Sequence, residues 1–522
     1  MSTARRKDAL EYHEKPRPGK LEVIPTKPHS NQHDLALAYS PGVAEPCLAI
    51  KENPEDVYRY TAKGNLVAVI SNGTAVLGLG NLGPEASKPV MEGKCMLFKI
   101  FADIDSIDIE VNTEDVDEFV RTVKNISPTF GGINLEDIKA PEAFDIEEKL
   151  KAALDIPIMH DDQHGTAIIS SAALLNALEL AEKKIGDVRI VVSGAGAAAL
   201  SCLNLWLQLG AKSENIMMYD SKGLVHHGRN DLDSRKSIYA NGNQDIPMDK
   251  SMENADVFLG LSKKDVLEPS TLLKMAANPI VFALANPDPE IAYEKAVQTR
   301  ADVILATGRS DHPNQVNNVL GFPYIFRGAL DVRATCINDA MKLAAVHALA
   351  ALTHDAVPEE VTEAYNLSHL SFGKDYIIPK PLDPRLITAV SVAVAKAAIE
   401  SGVSRVKSMD WNQYAARLSS RMGRDSILTR GIAERARKNP GRVVFAEGDN
   451  LKVLKAAEQA REEGIAIPVL LGPEQVIRQL IADNNLDLDD VQIIDPRAEE
   501  QRERRMEFGA ILAAKRQRKG MT

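Results

Sequence analysis

The stretch VRIVVSGAGAAALSCLNLWLQLG constrains this chain more than any other. A short β-branched run, a glycine turn and an apolar helix former follow one another without interruption, the order of a parallel strand feeding a helix. Gly194-Ala195-Gly196-Ala197-Ala198-Ala199 fits the G-x-G-x-x-A pattern. The first glycine permits a tight turn, the second lets backbone approach a pyrophosphate, and the small last residue lets helix and strand pack closely. This predicts a dinucleotide held along Gly194, Ala195, Gly196, Ala197 and Ala198.

Further strands are predicted in NIMMYD (215–220), ADVFLGLS (255–262), PIVFALAN (279–286) and ADVILATG (301–308), separated by helical or loop stretches. Such alternation implies a doubly wound parallel sheet, closed by the alanine-rich helical segments 332–353 and 384–401. Before it, LVAVISNGTAVLGLG and CMLFKIFADIDSIDIEV read as strands of a smaller α/β domain, the second as one strand continuing into another. After it, GRVVFAEGDNLKVLKAAEQAREEGIAIPVLLG reads strand, helix, strand, and only a few elements follow, so a third α/β unit is expected to be incomplete.

At 522 residues the chain exceeds what one core usually serves. No apolar run approaches the roughly 20 residues that span a bilayer, so no membrane segment is expected. The start MSTARRKDALEYHEKPRPGK lacks an apolar h-region and reads as a mobile tail. Cys47, Cys95, Cys202 and Cys336 have no CxxC spacing, which suits reduced thiols in a cytoplasm. A formal charge of −11 argues against a nucleic-acid partner.

Two acidic pairs precede the glycine turn, Glu136-Asp137 in GGINLEDIKAP and Asp161-Asp162 in IMHDDQHGTA. Adjacent carboxylates cannot both ligate from a regular helix face, but at the mouth of a strand they can converge on one cation. Magnesium or manganese suits such a set, because water and substrate oxygens complete the octahedron. His160 and His164 bracket the second pair without the softer ligands that zinc prefers. Asp220 ends the next strand, where an acid accepts from the adenosine ribose and favours NAD, whereas Ser221 and Lys222 can meet a 2′-phosphate. Asn286 and Asn318 are placed near the carboxyl edge of the sheet, where nicotinamide and substrate sit. Lys94 is placed just before a strand, where it can act as a base or simply snorkel, and Tyr39 stands before a Ser-Pro-Gly turn.

Taken together, AYSPGVAEPCLAI, SNGTAVLGLGNLGPEASKPVMEGK, GGINLEDIKAP, IMHDDQHGTA, GAGAAA and LANPDPE resemble bacterial malic enzymes of the large, two-module kind, over about residues 10–410. The resemblance implies Tyr39 as proton donor, Lys94 as proton acceptor with Asp161 orienting it, and Glu136, Asp137 and Asp162 as ligands of magnesium or manganese. It also implies nicotinamide or substrate contacts from Asn286 and Asn318, malate as substrate, and a homo-oligomer of two or more chains with Tyr39 near a subunit contact. DSKGL at 220–224 resembles NADP-preferring members, which selects NADP with NAD as the alternative. Larger malic enzymes carry an arginine in the turn before LGLG to hold a malate carboxylate; Thr74 stands here, as in the short bacterial line, and the asparagines with the metal are expected to hold the substrate instead.

The tail from about Arg437 resembles the opening of a phosphotransacetylase domain, which senses acyl-CoA only when complete, so no transacetylase activity is expected. The expected division is a tail at 1–20, a substrate and metal domain at 21–163, a Rossmann-type domain at 164–405, a linker at 406–436 and the partial unit at 437–522. Two other readings stay open on the residues alone. One is a metal-independent dehydrogenase of another small acid, the other a non-catalytic nucleotide or acyl-CoA sensor.

Overall fold

The computed structural model describes residues 3–15, 17–286, 288–367, 369–422, 436–437, 439–462, 464–484, 486–488 and 490–516. The chain divides into two compact units, the first ending at Met422.

The first unit holds two sheets. β1 (Leu66–Ser71), β2 (Asp105–Glu110), β3 (Gly132–Leu135) and β4 (Ile158–His160) form a parallel sheet in the order β2-β1-β3-β4. β5 (Ile190–Ser193), β6 (Ile216–Asp220), β7 (Gly223–Leu224), β8 (Val257–Gly260), β9 (Ile280–Ala283) and β10 (Ile304–Thr307) form the second, in the order β10-β9-β8-β5-β6-β7. Only β7 runs antiparallel there, paired with β6 through Asp220 and Gly223. The doubly wound α/β sheet expected from the sequence is therefore present.

The central strands are apolar on both faces because helices cover both, and their two-residue period divides the side chains between cores. Val67 and Val69 of β1 enter one core while Ala68 and Ile70 enter another. In the second sheet, Ile190 and Val192 of β5 join the same core as Val67, whereas Val191 turns to a third cluster. One shared core thus lies between the sheets, and the helix Asp161–Leu180 runs through it with Ile168, Ile169, Ala172 and Ala173 fully buried. A helix that is apolar all round in this way is a core helix.

Three local expectations are corrected. Cys95–Ala102 is not strand: it is the second half of a helix, Pro84–Ala102, that ends at Asp103 with φ +51° before β2. Met91, Cys95, Phe98 and Ala102 are buried at helical spacing, a period masked by their β-prone neighbours. Lys94 consequently sits inside a helix. Residues Thr3–Glu14, read as a mobile tail, are helical, with Lys15 Nζ 2.8 Å from Glu11. Within the stretch read as a linker, Trp411–Met422 forms a helix whose Tyr414 and Leu418 are buried in the shared core. The Tyr414 hydroxyl donates to Asp331 Oδ2 at 2.9 Å, and Asp331 in turn accepts from the buried Arg327.

The second unit is a parallel three-stranded sheet, β11 (Gly441–Phe445), β12 (Ala466–Leu471) and β13 (Gln492–Ile494), in that order. Its core gathers Leu454, Ala457, Leu470, Ile477 and Ile481, while most of β11 is exposed. Among the described residues no helix is long and apolar enough to cross a membrane.

Candidate active site

β3 and β4 pair Leu135 with His160, so the residues that follow each strand leave the sheet at the same edge. Those residues are Glu136-Asp137 and Asp161-Asp162. Register alone therefore brings the two acidic pairs together, and the Asp137 amide donates to Asp162 Oδ2 at 2.8 Å. Asp137 has φ +53°, a left-handed conformation that aspartate tolerates and that turns its carboxylate out of the strand's alternation. Glu136, Asp137 and Asp162 each offer an oxygen, and these oxygens lie within 4.8 Å of one another.

The residues fit a hard divalent cation. Asp137 Oδ2 is buried and has no hydrogen-bond partner. Glu136 Oε2 is held by Asn134 Nδ2 at 2.8 Å, so its carboxylate is fixed before any ligand arrives. Burial, followed by repulsion from Asp162, pushes the Asp137 carboxyl up to about 7. Anionic oxygens crowded in this way are stabilised by a cation among them.

Lys94 reaches the same cluster from the helix Pro84–Ala102. Its Nζ lies 2.7 Å from Asp161 Oδ2 and 2.7 Å from Glu136 Oε1, and 4.3 Å from the centre of the Phe322 ring. The lysine side chain is 10% exposed and that of Asp161 0%. Burial works to discharge Lys94, but Asp161 and then Glu136 outweigh it and hold the ammonium above the ordinary lysine range. Asn318 closes the far side: its Nδ2 donates to the Asp161 carbonyl at 3.3 Å, and its Oδ1 accepts from Thr166 at 3.1 Å.

Thr74 holds the turn beside the acids. Its hydroxyl donates to Asn72 Oδ1 at 2.7 Å and accepts from the Lys139 amide at 3.0 Å, which leaves it no free donor for a carboxylate. His164 stands apart from the cation set, with Nε2 3.0 Å from Glu147 Oε2, and burial above all lowers it to about 4.

At the glycine turn, Gly194 has φ +116°, and a Cβ there would come within 2.5 Å of the Leu261 carbonyl, so only glycine fits. A Cβ on Gly196 would meet nothing within 4 Å, and the helix Ala197–Gln208 begins there without a side-chain cap. Open space at a helix N-terminus with free amides suits a pyrophosphate. Asn286 is exposed at the same carboxyl edge and packs on Gly308, whose Cβ would lie 3.2 Å from its Oδ1. Asp220 ends β6 as expected, but Arg229 occupies its carboxylate with two hydrogen bonds of 2.9 Å. Ser221 and Lys222 are exposed in the turn to β7.

Tyr39 is not brought into this cluster. It caps the helix Gln32–Ala38 and is 78% exposed, and among the described residues no hydrogen bond joins it to the acids.

Sequence reasoning missed several supporting residues. Glu147 accepts from the His160 amide at 2.9 Å as well as binding His164, anchoring both ends of the HDDQH segment. A signal was present, because Glu147 lies on the apolar stripe Ala143, Ile146, Leu150 of the helix Glu142–Ala153. Gly165 was also overlooked: a Cβ there would strike Asp161 Oδ1 at 2.2 Å and Asn318 Cγ at 2.8 Å. Asn134 and Phe322 carried no local sign of their part.

The chain is similar to known proteins over most of its length. Residues 18–151 match the malic enzyme N-terminal domain, 163–368 the malic enzyme NAD binding domain, and 427–522 the phosphate acetyl/butaryl transferase family. An NADP-dependent malic enzyme of Halomonas elongata is 58% identical over 78% of this chain and 96% of its own length. An NAD-dependent malic enzyme of Rhizobium meliloti is 55% identical over 90% of this chain and 61% of its own. The crystal structure of a malic enzyme from Pyrococcus horikoshii aligns with a TM-score of 0.73 at 41% identity, over 80% of this chain and 96% of that one. The chain spans about two thirds of the length of the longer curated relatives that it matches. With a lysine bound to two carboxylates beside an acid trio, and a glycine turn in the neighbouring sheet, the chain belongs to the malic enzyme family.

Proposed function

We propose that the chain catalyses the oxidative decarboxylation of (S)-malate to pyruvate and carbon dioxide with reduction of NADP, and decarboxylates oxaloacetate in the same site. The observation that carries this reading is the shared carboxylate: Glu136 touches Lys94 at 2.7 Å and also belongs to the acid trio. A proton acceptor and a cation site so joined must act on one substrate oxygen. Free thiols at Cys47, Cys95, Cys202 and Cys336 accord with a cytoplasmic setting.

Glu136, Asp137 and Asp162 are the residues to hold magnesium or manganese, and Gly194–Ala198 with Asn286 those to hold the nucleotide; when bound, these groups polarise the C2 oxygen and accept the hydride. Asp161 and Glu136 hold Lys94 as an ammonium while Glu136 is free of a cation; with Glu136 engaged as a ligand that support would weaken, and Lys94, as the neutral amine, takes the proton of the C2 hydroxyl as C2 is oxidised. Asp161, fully buried, keeps the Lys94 amine aimed at that hydroxyl. Asn318 lines the substrate side, and the Phe322 ring under Lys94 keeps water from it. The β-carboxylate leaves as carbon dioxide, and Tyr39 protonates C3.

A second copy of the chain supplies Tyr39 in this reading. Leu35, Leu37, Val43 and Leu48 are all exposed around it, an apolar row suited to a symmetric partner. Lys94→Ala and Tyr39→Phe chains, each inactive alone, regain about a quarter of the parent activity when mixed and allowed to exchange, because half the dimers are then mixed and each carries one intact site. No recovery on mixing places Tyr39 within its own chain's site.

The reaction itself is tested by absorbance at the reduced-nicotinamide band with malate, manganese and either NADP or NAD. Turnover that disappears in excess chelator is expected. No signal with either nucleotide overturns the reading, and undiminished turnover in chelator favours a metal-independent dehydrogenase.

A further inference from the structure

An acid at the end of the second strand of a dinucleotide-binding sheet ordinarily accepts from the ribose hydroxyls, and its charge repels a 2′-phosphate. Asp220 has that position: the Gly194 amide donates to the neighbouring Tyr219 carbonyl at 2.8 Å, which sets the end of β6 beside the glycine turn. Its carboxylate, however, is already spent. Arg229 Nη1 donates to Oδ1 and Nη2 to Oδ2, each at 2.9 Å, a two-pronged pairing in which both side chains are 10% exposed. The Lys222 amide donates to Oδ1 at 2.9 Å, and Lys236 Nζ lies 3.7 Å from Oδ2.

The other donors of Arg229 are equally engaged. Nε donates to Asp231 Oδ1 at 2.9 Å, Nη2 to Asp231 Oδ2 at 3.0 Å and Nη1 to the Leu224 carbonyl at 3.3 Å. The guanidinium is therefore a fixed part of the protein and not a free phosphate ligand. Lys222 differs, because its side chain is 66% exposed and, among the described residues, its ammonium pairs with Asp231 alone, at 2.5 Å. Lys222, Arg229 and Lys236 each face Asp220 or Asp231, so the carboxylate that stands free in an NAD site is here paired with cations.

We propose that Arg229 sets the cofactor choice as a positioning residue: by saturating Asp220 it removes the acceptor an unphosphorylated ribose needs and leaves Lys222 and Lys236 to receive a 2′-phosphate. The inference rests on reading the glycine turn as an NADP site. It separates what the comparisons leave together, since relatives of similar identity are named for either nucleotide. The sequence held the signal nine residues beyond Asp220, outside the turn DSKGL where a phosphate ligand is usually sought.

The test is calorimetric titration of the full chain with adenosine 2′,5′-bisphosphate and with adenosine 5′-monophosphate, needing neither malate nor metal. The parent binds the bisphosphate more tightly. Arg229→Gln frees the Asp220 carboxylate to repel the 2′-phosphate, which weakens bisphosphate binding by roughly 10- to 100-fold, and leaves the monophosphate as tight or tighter because Asp220 can now accept from the ribose. Arg229→Lys, which restores the charge without the fork, recovers part of the discrimination and guards against a variant that merely misfolds. A parent without preference, an Arg229→Gln chain with the parent's preference, or equal weakening of both probes overturns the proposal. A chain that shows the preference yet never oxidises malate overturns the catalytic reading alone.

Discussion

Lys94→Ala stops malate-dependent reduction of NADP, lowering kcat by about 10²- to 10⁴-fold, the usual span for a positioned acid or base. NADPH binding, followed by nicotinamide fluorescence, stays near the parent value, because Lys94 contacts Asp161, Glu136 and Phe322 and no residue of the glycine turn. The loss exceeds that of an ordinary ion pair because both carboxylate partners are buried and, among the described residues, neither is paired with another lysine or arginine. Removing the ammonium leaves them uncompensated, so some fall in thermal stability accompanies the loss of rate. Lys94→Arg separates the two effects: it keeps the charge and much of the stability but cannot give up its proton, and stays inactive. Parent-like turnover in either variant sinks the proposed role of Lys94.

Asp137→Asn weakens manganese binding by at least about 100-fold, more than the loss typical of a residue that only supports a ligand. The substitution is nearly isosteric, and asparagine tolerates the left-handed φ of +53° found at this position, so backbone strain is not introduced. What changes is one anionic oxygen that is buried without a hydrogen-bond partner. In the metal-free protein the same change raises thermal stability at neutral pH. The reason lies in the sign of the shift. An acid pushed up to about 7 in the folded state costs stability as pH rises from its unfolded value toward 7, and asparagine never ionises. Calorimetric manganese titration and a metal-free melting curve read both outcomes. Unchanged affinity removes Asp137 from the ligand set, and a lower melting point assigns it to the scaffold.

These two residues also show how far local pattern reaches. Glu136-Asp137 and Asp161-Asp162 were legible because each pair follows a short apolar run, and a strand's end is a local property. Lys94 was a candidate on position, but only family resemblance told it apart from an ordinary snorkelling lysine. The run CMLFKIF after it has the composition of a strand, and its helical state depends on Met91, Cys95 and Phe98 packing into the shared core. Glu147 was hidden by abundance, as one acid among several in EAFDIEEKLKAA until burial against His160 and His164 distinguishes it. Thr74 was noticed for what it lacks. Its bonds to Asn72 and Lys139 show what it does instead, which is to hold the turn that faces the acids.

By itself the sequence determined the two-residue periods of the strands, the glycine turn with its forced φ at Gly194, and the presence of acids at two strand mouths, all of which depend on neighbours along the chain. Tertiary structure alone decided which groups those elements meet. The pairing of Leu135 with His160 joins the acid pairs, the crossing of the helix Pro84–Ala102 delivers Lys94 to them, and the chain beyond β7 returns Arg229 to Asp220. Such meetings arise between residues distant in sequence, where burial and charge pairing are set by how strands and helices cross and no period along the chain records them.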